Sequence, residues 1–118
     1  MALIVVCLVD RRRKGLAAAI RKAGITAIES FTTDQAVAVC VSRQVDAVVL
    51  DQELFVELDD WSVAQSVKLV RPSICVLLAT RAGFHGQRLP RGVDVMLPRA
   101  DVAAIVGKLK QIASAEAS

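Results

Sequence analysis

Asp51 is the residue whose position most strongly suggests chemistry, because its carboxylate ends a run of apolar residues. The preceding stretch, 45–50, consists of Val, Ala and Leu apart from Asp46. Apolar residues without alternation are typical of a strand that helices cover on both faces, near the middle of a parallel sheet. Ligands of open α/β sheets collect at the carboxyl ends of the strands, so Asp51 is a candidate site residue. From position alone, the alternative that Asp51 caps a turn or a helix start stays open.

Cys7 and Arg13 form a second chemical pattern, because their spacing is similar to the C-x5-R loop of low-molecular-weight tyrosine phosphatases and related arsenate reductases. In those enzymes a low-pKa thiolate attacks a phosphate that loop amides and the arginine hold. The segment between Cys7 and Arg13 has no glycine to let a loop fold around an anion, and Lys14 stands where Ser or Thr is usual. No Asp-Pro general acid follows, so chance spacing is the favoured interpretation and the enzyme the lesser one.

Four consecutive basic residues, Arg11, Arg12, Arg13 and Lys14, are a candidate surface for a phosphate or an acidic partner. The alternative is that they form the hydrated face of a helix, which is the commoner role of such a run. No helix-turn-helix, zinc module or RNP-like set of aromatic residues accompanies them. The sequence therefore predicts no direct nucleic-acid partner.

The composition suits an α/β domain with an aliphatic core, because 54% of the residues are hydrophobic and only 3% are aromatic. The net charge of +3 permits an acidic partner without requiring one. Cys7, Cys40 and Cys75 have no CxxC spacing and no nearby His, so we expect buried, reduced thiols in a cytosolic protein. The apolar stretch 2–9 is too short to cross a bilayer, and a basic run follows it where a signal peptide has its cleavage site. We therefore expect a cytoplasmic location without membrane contact.

The elements that must position these residues follow from five apolar runs that alternate with helical patterns, as in a parallel sheet with crossover helices. The runs are Ala2–Leu8, Thr26–Phe31, Val45–Leu50, Ile74–Ala79 and Val93–Leu97. Helices are predicted at 12–23, from Thr32 onward, at 60–70 and at 101–113. Gly24 is expected to end the first helix, and Thr32 with Gln35 has capping-box spacing. We expect one doubly wound α/β domain over residues 1–118, with a frayed tail at 113–118.

The stretch 46–51 resembles the phosphoacceptor strand of receiver domains in bacterial two-component response regulators, an apolar strand that ends in an aspartate. The stretch 76–80 is similar to the strand whose terminal Thr or Ser contacts the phosphoryl group, and 95–98 to the fifth strand with its Lys-Pro. The resemblance covers nearly the whole chain. It implies a five-stranded, flavodoxin-like parallel sheet of order 2-1-3-4-5, with Asp51 at the phosphoacceptor position and Thr80 at the switch-hydroxyl position.

Three departures from the receiver pattern concern the groups that support the phosphoryl transfer. Cys7 and Leu8 stand where the family has an acidic pair, and neither offers the oxygen ligands that Mg²⁺ needs. Leu97 stands where the family has the lysine that pairs with the acyl phosphate. The fourth helix of the family is predicted to be short or missing between Thr80 and Gly92.

These departures predict a degenerate receiver that acts through protein–protein contact, is not an enzyme, needs no cofactor and is not switched by phosphorylation. The resemblance implies a histidine kinase, an output domain or another signalling protein as partner, with a homodimer as a further expectation. The alternative is a conventional phospho-switch at Asp51, in which Asp10 and Glu53 recruit Mg²⁺. The cysteine phosphatase with Cys7 and Arg13 stays as the third hypothesis.

Overall fold

The predicted apolar runs form one five-stranded parallel sheet in the order β2-β1-β3-β4-β5. The computed structural model describes residues 3–8, 10–51, 62–81 and 92–117. In these ranges the elements are β1 (Leu3–Cys7), α1 (Asp10–Lys22), β2 (Thr26–Glu29), α2 (Thr33–Ser42), β3 (Ala47–Asp51), α3 (Ser62–Val70), β4 (Cys75–Thr80), β5 (Val95–Pro98) and α4 (Val102–Ala117). The predicted strand order is therefore confirmed.

Helices cover the sheet on both faces, which explains why β3 has no polar alternation. Its side chains point alternately to the two faces, so Val49 packs in one cluster and Leu50 in the other. The α1 and α4 helices bury residues such as Leu16 and Leu109 in the first cluster. The α2 and α3 helices bury Ala36, Cys40, Ala64 and Val67 in the second, and β3 is buried at every position.

The local signals at the helix ends are confirmed in detail. Gly24 follows α1 with a φ of 86°, the left-handed conformation in which glycine commonly ends helices. The Thr32 hydroxyl accepts a hydrogen bond from the Gln35 backbone N–H at 3.1 Å. The Gln35 side chain accepts one from the backbone N–H of Phe31 at 2.8 Å. These two bonds satisfy backbone donors at the start of α2, as the capping-box spacing predicted.

Several element bounds differ from those predicted. The α1 helix begins at Asp10 rather than at Arg12, since an acidic residue suits the first turn of a helix. The α4 helix continues to Ala117 rather than ending near Ala113, because Ala and Glu are good helix formers. The predicted shortening of the family's fourth helix falls on residues 82–91, which lie outside the described residues. Within the described ranges, no helix is long and apolar enough to cross a membrane.

Gly92 offers a test of how closely the segment before β5 packs on α3. Its φ is 89°, and a Cβ at this position would lie 3.1 Å from the backbone carbon and the Cβ of Ala64. Gly24 has a similar φ of 86° but no atom within 4 Å of the corresponding Cβ position. Urea unfolding should therefore show a loss of about 2–3 kcal/mol for Gly92→Ala and about 1 kcal/mol for Gly24→Ala. Equal losses would mean that only the backbone conformation matters at Gly92.

Candidate functional site

Asp51 and Thr80 lie at the same edge of the sheet, as the sequence predicted, because each is the last residue of its strand. Asp51 of β3 is opposite Ala79 of β4, and Thr80 is opposite Pro98 of β5. The Asp51 side chain is 0% exposed, and Thr80 is buried as well. The Thr80 hydroxyl donates a hydrogen bond to the Leu97 carbonyl at 3.3 Å, which ties the ends of β4 and β5 together.

The Asp51 carboxylate lies between two guanidinium groups that come from distant parts of the chain. Arg12 of α1 approaches with its Nε at 3.4 Å from Oδ2, and Arg99 with its Nη1 at 3.7 Å from Oδ1. Each carboxylate oxygen thus has a cation of its own. A buried carboxylate is costly unless cations and hydrogen bonds compensate for the water it has lost.

Arg99 is a site residue that sequence reasoning missed. It follows Pro98 directly at the end of β5, and its backbone N–H donates to the Thr80 carbonyl at 2.8 Å. This bond fixes the start of the turn that leads to α4 and holds the Arg99 side chain at the edge where Asp51 lies. A basic residue directly after the strand that carries Leu97 was the available signal, because parallel strands end at a common edge.

Arg12 and Arg13 leave α1 on different sides, because consecutive helical residues are about 100° apart around the axis. Arg12 reaches Asp51 on β3, whereas Arg13 turns towards β2. The Arg13 Nε lies 3.4 Å from Glu29 Oε1, and its guanidinium carbon lies 4.1 Å from the centre of the Phe31 ring. The prediction that Arg13 belongs to a solvated basic face is wrong, since its side chain is only 6% exposed. It is buried because an acid and an aromatic ring compensate for its charge.

The two positions that the resemblance aligns with the family's acidic pair, Cys7 and Leu8, lie in the apolar core. Cys7 is opposite Leu50, so Leu8 follows at the level of Asp51, and both Cys7 and Leu8 are buried. Leu97, at the position of the family's lysine, packs partly buried against the core. The described residues contain no group of three His, Cys, Asp or Glu side chains that could hold a metal ion. A divalent metal therefore does not fit the described donor set, because guanidinium groups already flank the one central carboxylate.

The side chains of Asp10 and Glu53 bear on the alternative metal site but fall outside the described part of the structure. The backbone of Asp10 forms the first position of α1. Arg11 and Lys14 of the predicted patch are exposed, whereas Arg12 keeps 35% of its side chain accessible. The structure thus divides the basic run into exposed residues and residues that pair with acids.

Cys7 has the properties of a core thiol. It is 1% exposed, and burial raises its pKa to about 11, against smaller lowering effects of a hydrogen bond with Ser30 and of the Arg13 charge. A nucleophilic cysteine needs a lowered pKa and access for its substrate. Cys40 is also buried, and Cys75 is partly buried, so the prediction of buried thiols holds for two of the three cysteines.

A cavity of about 420 Å³ lies at the opposite edge of the sheet, away from Asp51. It is lined by residues at the starts of β3 and β4, such as Val45, Asp46 and Cys75, and by Ile112 of α4. The Asp46 carboxylate is engaged there in a hydrogen bond from the Leu3 backbone N–H at 2.6 Å. This carboxylate therefore holds β1 in register beside β3.

Comparison with solved structures gives the same fold over the whole chain. A two-component response regulator from Clostridium difficile has a TM-score of 0.81 at 17% identity, with 100% of both chains covered. A CheY-like receiver domain protein from Methanospirillum hungatei has a TM-score of 0.77 at 13% identity, covering 98% of this chain and 95% of the other. A response regulator from Thermotoga maritima in complex with Mg²⁺-BeF has a TM-score of 0.75 at 17% identity, covering 95% and 99%. The chain therefore has the CheY-like receiver fold.

Comparison of the sequence with protein families and with curated proteins gives no match.

Removal of the Asp51 charge should destabilise the fold, because Arg12 and Arg99 would lose their counter-ion at the edge of the sheet. We expect Asp51→Asn to lower the free energy of unfolding by about 1–3 kcal/mol, since both arginines keep some contact with water. Asp34→Asn makes the same charge change at an exposed position in the first turn of α2 and should cost less, about 0.3–1 kcal/mol from the lost interaction with the helix dipole. Urea unfolding measures both. In a pocket of several carboxylates the same change would relieve repulsion, so a stabilised Asp51→Asn would contradict the ion-pair assignment.

The raised pKa of Cys7 predicts a loss of stability at alkaline pH. The neutral thiol is favoured in the folded chain, so its contribution is complete below the ordinary pKa of 9.0 and is lost as pH rises towards about 11. The difference between a pKa of 9.0 and a pKa of about 11 corresponds to a loss of at most about 2.7 kcal/mol in the free energy of unfolding. The difference in unfolding free energy between wild type and Cys7→Ala should therefore shrink over this interval. Cys75→Ala is the control, with a smaller change because Cys75 is only partly buried; equal changes would contradict the special burial of Cys7.

Proposed function

We propose that the protein is a receiver-like signalling module that acts through protein–protein contact and is not switched by phosphorylation of Asp51. The observation that carries this proposal is the pairing of the fully buried Asp51 carboxylate with Arg12 and Arg99. The receiver fold supports a role in signalling, since the similar solved structures are response regulators. A histidine kinase, an output domain or another signalling protein is the proposed class of partner.

Phosphorylation would require Asp51 to act as a nucleophile, and its surroundings oppose this. A phosphodonor must reach a carboxylate oxygen in line with its leaving group, yet the Asp51 side chain is 0% exposed. In phosphoryl transfer, metal ions bridge the reacting oxygens and neutralise the developing charge. Cys7 and Leu8 leave the described edge without the carboxylates that would hold such an ion. Within the part of the chain that the structure describes, Asp51 therefore has neither access for a phosphodonor nor carboxylates that would support the transfer.

The arginine pairs give Asp51 a structural role in place of a chemical one. Through Arg12 and Arg99 the carboxylate joins α1, β3 and the turn after β5, three segments that meet at the carboxyl edge of the sheet. The negative charge of Asp51 is neutralised by the two arginines, which occupy the place next to the carboxylate that a metal ion would otherwise take. We infer that the module presents one constant surface to its partner.

The two enzymatic or switching alternatives receive less support. A conventional phospho-switch needs Asp10 and Glu53 near Asp51, and the side chains of both lie outside the described residues. The guanidinium groups of Arg12 and Arg99 would have to leave the Asp51 carboxylate before a cation could bind there. The cysteine phosphatase needs an accessible thiolate, and the burial and raised pKa of Cys7 oppose it.

Incubation with acetyl phosphate and Mg²⁺, or with beryllofluoride and Mg²⁺, tests the proposal directly. We expect the intact mass to stay unchanged and the ¹H–¹⁵N spectrum to show no shifts around Asp51, because the carboxylate is buried and paired. The Asp51→Asn variant is the matched control for adventitious modification elsewhere. A phosphoryl adduct or BeF-induced shifts in the wild type that vanish in Asp51→Asn would overturn the proposal and favour the conventional switch.

A further inference from the structure

Phe31 is an exposed aromatic residue that specific contacts hold in place. It keeps 65% of its surface accessible and is the only aromatic side chain in the described residues. A residue directly before a helix N-cap commonly packs against the first turns of that helix. Phe31 also contacts α1, because the Arg13 guanidinium carbon lies 4.1 Å from the centre of its ring. From this stack and the charges around it, we infer a docking surface for an acidic protein segment that carries an apolar side chain.

The stack is held rigid on both sides, which lowers the cost of binding. Arg13 is fixed from below, with its Nε at 3.4 Å from Glu29 Oε1 and its Nη1 at 3.5 Å from the Leu8 carbonyl. The backbone N–H of Phe31 donates to the Gln35 side chain at 2.8 Å. Rigid aromatic residues and arginines are the side chains that most often dominate the energy of protein interfaces. Phe31 is therefore positioned as the anchor of the surface.

Beside this anchor the basic residues outnumber the acids Glu29 and Asp34, and this excess of positive charge determines the chemistry of the partner. The exposed side chains of α1 include Arg11, Lys14, Arg21 and Lys22, and the stretch 11–22 contains no acidic residue. Lys14 and Arg21 fall on the same flank of α1 as Arg13, because their positions lie within about 100° of it around the helix. A partner segment that covers Phe31 thus meets basic groups along α1 and is matched by carboxylates. The name basic anchor surface is used below for Lys14, Arg21 and Phe31.

Nucleic acid and membrane are less suitable occupants of the basic anchor surface. Binding of single strands depends on several aromatic residues that stack successive bases, and Phe31 has no aromatic neighbour among the described residues. An amphipathic helix binds a bilayer with its apolar face, but Leu16, Ala17 and Ile20 of α1 are buried against the sheet. The basic side of α1 is therefore left for a soluble acidic partner.

This inference rests on the proposed role as a protein-interaction module and adds the surface and the partner's chemistry. The probe is a soluble peptide of repeating Glu-Glu-Leu, titrated into the ¹⁵N-labelled full chain. We expect shifts in the amides of Phe31 and of the exposed face of α1, and weaker binding at higher salt. Phe31→Ala should weaken binding about fivefold to tenfold, as for an interface anchor. Lys14→Glu reverses a charge on the same flank and should also weaken binding.

Matched control variants distinguish binding at this surface from non-specific binding of the peptide elsewhere on the protein. Leu69→Ala removes an apolar residue that is 84% exposed on α3, and Arg43→Glu reverses an exposed charge beyond α2, so both should bind the peptide like wild type. Thermal unfolding of each variant confirms that the fold is retained. Unchanged binding by Phe31→Ala would overturn the inference, as would equal affinity for a single-stranded oligonucleotide or for anionic vesicles. Neither result would alter the phosphorylation assay, which tests the proposed function separately.

Discussion

The neutralisation of a buried carboxylate at the end of β3 is the constraint on which the site depends. A central strand of a doubly wound sheet is covered on both faces, so an acid at its end loses most of its water. The chain meets this cost with Arg12 from α1 and Arg99 from the turn after β5. These two ion pairs hold α1, the end of β3 and the turn after β5 together at Asp51. The positions of these three segments at the carboxyl edge therefore depend on one carboxylate.

The fold could be predicted from the sequence because its signals are local. An unbroken apolar run such as that of β3, the glycine at position 24 and the pair Thr32 and Gln35 each depend on neighbouring residues, and each is confirmed. The meeting of Asp51 and Thr80 at one edge followed from the parallel sheet alone. Predictions of element ends were less accurate, since tertiary packing and the propensity of the last residues decide where a helix such as α4 ends.

The partners of the site residues could not be predicted in the same way. Arg12 and Arg13 are adjacent and chemically identical in the sequence, yet one pairs with Asp51 and the other with Glu29. Which guanidinium reaches which acid depends on the azimuth of α1 over the sheet, a property that the whole packed core determines. Arg99 was missed because the family pattern directs attention to the lysine position, occupied here by Leu97, and its contact with Asp51 spans distant parts of the chain.

The divergence of Arg12 and Arg13 also limits how α1 can move. One residue ties the helix towards β3 and the next ties it towards β2, so rotation about the helix axis in either direction stretches one of the two pairs. The two contacts start about 100° apart around the helix axis and lead to different strands, so together they oppose rotation of the helix more than either contact does alone. A partner that docks on α1 therefore meets a helix whose orientation over the sheet is set by two ion pairs as well as by its buried face.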